Sequence, residues 1–222
     1  MEEKVMRTSV LVLVAVGVFS SICNALPSYI EQGQMTWQRG DAGSTWQDWT
    51  FDNGNNPSVP EHYYNPYGNP NDPTMFGPVI NFTGEDGSVP FQWKKGVWMG
   101  DPLMALIQIP NTQDPNPIKY VWFEIKYKMV DMLMPDVSPA GGNYQIERTY
   151  LNDTLTADGW HVMTIGWTIK PNPNMEWFSF GLWGTGGFLD SVSIDTLCTI
   201  PEPATMLIVG LGAVGLLRKR MK

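Results

Sequence analysis

The side chains able to do acid–base work in this chain are few. Its two histidines are His62 and His161. A serine or cysteine nucleophile would need one of them as its base. The chain holds no G-x-S-x-G elbow, no H-E-x-x-H pair and no Cys/His cluster. His161 begins the alternating stretch HVMTIGWTIK, where a partly buried structural imidazole is the expected role. His62 lies beside Tyr63 and Tyr64 in a polar segment. Glu124, Glu147 and Glu176 stand in or next to strand-like segments. A glycosidase needs two carboxyl groups about 5–9.5 Å apart, which adjacent strands can supply. Glutamate on the wet face of a sheet is the ordinary alternative. The expectation is a protein with no catalytic residues, with a jelly-roll glycoside hydrolase as the last-ranked alternative.

Aromatic chemistry is better represented. All ten Trp and all eight Tyr lie between Leu26 and Ile200. Flat rings stack on the apolar faces of sugars, and nearby Asp, Asn and Gln bond the hydroxyls. Trp46-Gln47-Asp48-Trp49 is one such cluster, and Tyr63-Tyr64-Asn65 with Tyr67 is another. Trp46, Trp49, Tyr63, Tyr64 and Tyr67 are therefore the candidate glycan-binding residues. Core packing competes for each of them, since Trp in a β-sandwich is usually interior. Asp52-Asn53-Gly54-Asn55 and Asp86-Gly87 offer oxygen ligands without EF-hand spacing, and they make good turns with no ion.

The elements that would position these residues are strands. In KYVWFEIKYKM, Val121, Phe123, Ile125, Tyr127 and Met129 share one face. Tyr120, Trp122, Glu124, Lys126 and Lys128 share the other. HVMTIGWTIK places Met163, Ile165, Trp167 and Ile169 together. PLMALIQIP does the same with Leu103, Ala105, Ile107 and Ile109. MEWFSFGLWG has aromatics on both faces, which predicts a central strand covered on both sides. STWQDWTF and a short FLDSVSIDTL complete the set. Turn signals recur between them, and Asp52–Pro78 reads as one long polar loop. Thr154–Gly159 is read as one helical turn at most. This pattern predicts an all-β, single β-sandwich, jelly-roll-like, with roughly eight to ten strands.

Charge narrows the partners. The chain carries a formal −8, and Leu26–Ile200 alone holds 8 Lys+Arg against 19 Asp+Glu, a balance of −11. That balance argues against nucleic acid, whose phosphates demand a basic footprint, and against peripheral binding to anionic lipid. Its 175 residues suffice for one domain with a sizeable core. Cys198 is the sole cysteine of that span, so no internal disulfide can staple it. It is expected to be a small buried or linker residue, with pairing between molecules as the alternative.

The ends carry targeting chemistry. Residues 1–25 read as a signal peptide: Lys4 and Arg7, an apolar Val10–Phe19, and small residues in Cys23-Asn24-Ala25 before Leu26. A retained N-terminal anchor is the alternative. Residues 201–222 join Pro201-Glu202-Pro203, an uncharged run Ala204–Leu217, and the cations Arg218, Lys219, Arg220 and Lys222. As a helix the run is about 21 Å long, short of a hydrocarbon core of roughly 30 Å. Glycines at 210, 212 and 215 and snorkelling cations favour a membrane helix over a soluble one. The basic end stays cytoplasmic by the positive-inside rule and acts as a membrane stop, leaving the body of 26–200 outside.

Pro-Glu-Pro, apolar helix and basic cluster, in that order at the C-terminus, resemble the PEP-CTERM sorting domain of bacterial surface proteins. The resemblance covers about 22 residues. It implies recognition by an exosortase, a membrane transpeptidase-like enzyme, with cutting near Pro-Glu-Pro and transfer to the cell surface or extracellular matrix. Phe188–Ile194 resembles the closing strand of jelly-roll sugar-binding modules. That resemblance implies a structural calcium with Asp190 as a metal ligand; no other cofactor is expected. The leading expectation is thus an exported, non-catalytic surface or matrix protein. A carbohydrate-binding sandwich, with extracellular polysaccharide as partner, is the first alternative.

Overall fold

The computed structural model describes residues 27–69, 77–83, 91–112, 117–128, 131–183 and 187–199. The signal peptide, the Pro-Glu-Pro tail and its basic end lie outside the described residues. The chain divides into two units, 1–34 and 35–222. The described part of the first is one helical turn, α1 (Ser28–Glu31), begun at Pro27 and closed by Gln32 N–H donating to Ser28 O at 2.9 Å.

The second unit is built from antiparallel strands. Those described are β1 (Ser44–Trp49), β2 (His62–Tyr64), β3 (Val79–Thr83), β4 (Gln92–Lys94), β5 (Val97–Gly100), β6 (Leu103–Pro110), β7 (Lys119–Lys128), β8 (Asp131–Pro139), β9 (Gln145–Leu155), β10 (His161–Lys170), β11 (Met175–Trp183) and β12 (Gly187–Cys198). The larger sheet runs β2-β1-β12-β7-β10-β9, with the β4–β5 hairpin attached to one end of β12. The smaller runs β3-β6-β11-β8. The fold is thus the expected all-β, two-sheet sandwich, with twelve strands rather than eight to ten.

Period two explains the facing. In β7 every odd residue from Lys119 to Tyr127 is buried, and each even one is half-buried or exposed. Phe123 stacks on Phe178 across the two sheets, with centroids 5.9 Å apart, and Trp167 and Phe180 meet its edge. A second aromatic knot joins Phe51, Phe82, Phe91 and Trp98.

Bulges interrupt that period. In β12 the register shifts between Leu189 and Ser191, so Leu189 faces inward on one side and Val192 and Ile194 on the other. β9 is bulged where it passes Gly166 and Trp167. It is an edge strand, and its inward-side Leu151 and Leu155 stay exposed.

Four expectations need correction. FLDSVSIDTL is no short closing strand but part of the twelve-residue β12, paired with β1, β5 and β7. β11 is central in its sheet, but its outer face, with Trp177 and Trp183, is only half-buried, and among the described residues no third layer covers it. Asp52–Pro78 is not a plain loop: it supplies the edge strand β2 and a bridge from Ser58 to Ile80. Ala157–Gly159 is a turn rather than helix.

Candidate functional site

The outer face of the larger sheet holds two parallel rows of side chains. Cross-strand pairing aligns Tyr64, Trp46, Asp195, Trp122, Gly166 and Tyr150 across β2, β1, β12, β7, β10 and β9. One step along the strands, the same pairing aligns His62, Asp48, Ser193, Glu124, Thr164 and Asn152. The first row is aromatic with one acid, and the second is polar throughout. Neighbouring strands lie about 4.8 Å apart, so each row spans roughly 24 Å.

Gly166 matters to the first row because it has no side chain. Trp122 and Tyr150 meet over it, edge to face, with centroids 5.2 Å apart. A Cβ on Gly166 would stand 3.1 Å from Tyr150 Cβ and 3.2 Å from the Trp122 ring, tight enough that those side chains would have to shift by a few tenths of an ångström.

Arg39 occupies the middle of both rows. It donates from Nε and Nη2 to the two oxygens of Asp195 at 2.8 and 2.7 Å. It donates from Nη1 and Nη2 to Asp48 at 2.6 and 2.8 Å. Its guanidinium lies 4.6 Å from the centroid of the Trp46 ring. Ser193 completes the knot by donating to Asp48. A planar five-donor group between two carboxylates is what arginine does better than lysine.

The five aromatic candidates separate. Trp46 and Tyr64 are directly opposite each other on the outer face, and Tyr64 is 46% exposed. Trp49 is fully buried and donates from Nε1 to Ser58 O at 3.2 Å, so it presents no face to a ligand. Its odd position in β1 points it inward. Tyr63 pairs with Gln47 on that same inward side and reaches Asn69 Oδ1 at 3.5 Å. Tyr67 lies in the turn held by Asn65 Oδ1, 3.0 Å from Tyr67 N. The sequence reading missed Trp122, Tyr150 and Arg39 as members of one surface. Trp122 was legible as outward-facing in β7, but its neighbours depend on register.

The carboxylates do not converge. Glu124 accepts from Thr164 Oγ1 at 3.2 Å, in the polar row. Glu147 pairs with Thr168, four residues further along β10 and one strand beyond, about 13 Å away along the strand alone. Glu176 is fully buried against Lys119 between the sheets. Asp190, proposed as a calcium ligand, is half-exposed beside the β12 bulge and pairs with Lys126 Nζ at 2.9 Å. Among the described residues no three His, Cys, Asp or Glu side chains are grouped to hold a metal ion.

His161 sits at the start of β10 with its ring stacked on Tyr127, centroids 5.2 Å apart. Its Nδ1 is 3.2 Å from Asp153, which also accepts from Tyr127 Oη at 3.0 Å. Burial first, then the Asp153 charge, raises the Tyr127 phenol well above its usual range.

The outer face and its rows define the class: a two-sheet β-sandwich with an aromatic and polar surface. The chain also carries a sorting signal, for residues 199–220 match the family described as the PEP-CTERM protein-sorting motif. That motif implies export, anchoring through the C-terminal tail and processing by exosortase, a membrane enzyme. No match was found to curated proteins or to solved structures. Among the described residues no helix is long and apolar enough to cross a membrane.

Proposed function

We propose that the chain is an exported, non-catalytic cell-surface or extracellular-matrix protein. Its jelly-roll-like sandwich is delivered to an exosortase-type enzyme in the cytoplasmic membrane by the tail. The sorting motif at 199–220 carries this reading. The separation of Glu124, Glu147 and Glu176 supports the absence of catalysis. Mass spectrometry of protein extracted from the cell surface tests it. The expected mature C-terminus falls close to Glu202. Mature material that all ends at Lys222 would sink the processing step, and a reporter after Lys222 found outside the cell would sink the topology.

A second reading is favoured by the two rows. An aromatic row beside a polar row suits an extended polysaccharide, with rings stacking on sugar faces and the polar row bonding hydroxyls. Tyr64, Trp46, Trp122 and Tyr150 are the stacking residues in this reading. Glycan-array binding by the full chain, lost in Trp122→Ala, is its test.

A further inference from the structure

Five polar side chains are buried together at one end of the sandwich, outside both readings above. They are Asn111 after β6, Lys119 at the start of β7, Asn172 in the β10–β11 turn, Glu176 in β11 and Cys198 at the end of β12. Lys119 and Glu176 are both fully buried, and Lys119 Nζ touches Glu176 Oε1. Asn111 Nδ2 donates to the same oxygen at 2.9 Å. It also faces Asn172 Oδ1 and Pro173 O, each at 2.8 Å. Cys198 Sγ donates to Asn111 Oδ1 at 3.2 Å and to Asn172 Oδ1 at 3.3 Å.

This arrangement is costly as it stands. A buried ion pair seldom repays its desolvation, and buried polar atoms are almost always partnered. Among the described residues Lys119 Nζ has no hydrogen-bond partner beyond its ion pair, and Glu176 Oε2 and Asn172 Nδ2 have none. The cluster also has the parts of a condensation. An amine nucleophile and a carboxamide leaving group rest on one carboxylate oxygen, and a thiol donates to the carboxamide oxygen. Removal of water from such a site gives proximity its full effect.

We propose that Lys119 and Asn111 join in an intramolecular amide bond, with Glu176 carrying the proton. Proton transfer across the Nζ–Oε1 contact leaves a neutral amine and a neutral acid. The Nζ lone pair attacks Asn111 Cγ, forming the C–N bond and placing negative charge on Oδ1, which faces the Cys198 S–H. The Cγ–Nδ2 bond then breaks. Glu176 delivers its proton to Nδ2, so ammonia departs, and the same carboxylate then takes the second amine proton from Nζ, leaving a neutral amide and a neutral acid. No oxidant, reductant or external reactant enters. Burial raises the Glu176 carboxyl above its usual range, against the pull of Lys119, which suits a group that must hold a proton in transit. The product replaces a buried charge pair by a neutral amide. It serves an exported domain that has no disulfide available within it.

Peptide mapping of the full chain decides the matter. Linkage blocks trypsin at Lys119, so Gly96–Lys126 is recovered as one peptide lighter than its sequence by one ammonia, with no backbone fragments between Asn111 and Lys119. Lys119→Met and Glu176→Gln should each restore the full mass, and Asn53→Ala, which removes the Asn53-Gly54 pair, should keep the loss. Should Lys119→Met fail to fold, the wild-type peptide is sufficient evidence by itself. Cleavage at Lys119 in the denatured digest of wild-type protein overturns the proposal. So does an ammonia loss mapped elsewhere, such as an Asn53-Gly54 succinimide, or a link from Lys119 to Asn172.

Discussion

Arg39 and Asp195, 156 residues apart in sequence, are locked side by side through Nε to Oδ1 at 2.8 Å and Nη2 to Oδ2 at 2.7 Å. The Asp195 side chain is only 1% exposed, so its charge depends on that arginine. Removing one partner of a buried pair leaves an uncompensated charge and costs about 3–5 kcal/mol. Arg39→Met should destabilise the fold by that order in urea titration. Arg39→Met combined with Asp195→Asn should recover much of it, because the buried Asp195 charge is then gone and only the partly exposed Asp48 is left without its arginine.

Trp49 and Trp122 should behave as opposites. Trp49 is a core residue, and Trp49→Ala should cost about 3–5 kcal/mol through lost burial and a cavity. Trp122→Ala removes a half-exposed ring and its contact with Tyr150, worth about 1 kcal/mol. If the outer face binds glycan, Trp122→Ala abolishes binding while the melting temperature moves little. Equal stability loss in both variants would refute this division.

Tyr127 gives the alkaline limb of stability a sign. Its folded phenol is held above the ordinary value of 10.0, chiefly by burial. Above about pH 10 the unfolded chain releases this proton while the folded chain keeps it, so stability falls as pH rises. Below the unfolded value the contribution is fully present. Tyr127→Phe should flatten the decline in unfolding free energy between neutral pH and the alkaline limit.

Cys198 should be chemically quiet. It is 1% exposed, and burial raises its thiol above the usual range. The thiolate is the reactive form, so native protein should resist thiol reagents and label fully in denaturant. A disulfide-linked dimer in native, non-reducing electrophoresis would contradict this placement.

Much of the sandwich is visible in the residue order because burial on one face leaves a period of two. β1, β6, β7, β10 and β11 show it and were anticipated as strands, while β12, whose bulge breaks it, was read only as a short strand. β8 and β9 hide it. Pro135 lies within β8, allowed there because β8 is an edge strand, and a register shift switches the inward residue from Met132 toward Val137. In β9 the bulge switches it from Ile146 and Arg148 to Leu151. The short β2, β3, β4 and β5 have too few residues for a period to register.

The buried lysine was equally within reach. Lys119 has the parity of Val121 and Phe123, and Glu176 that of Phe178 and Phe180, so alternation alone sends both charges inward. Hydropathy argues the other way, and for Glu176 the ordinary expectation of a wet-face glutamate followed hydropathy. What the linear chain determined by itself is local: the sorting motif at 199–220, alternation within strands, and the acidic balance of the body. Tertiary structure alone decided which residues are neighbours. Strand order, register and bulges are pairwise relations between distant segments, and they set Arg39 on Asp195, Trp122 on Tyr150 and Lys119 on Glu176. A period of two says which way a side chain points, but not what it meets.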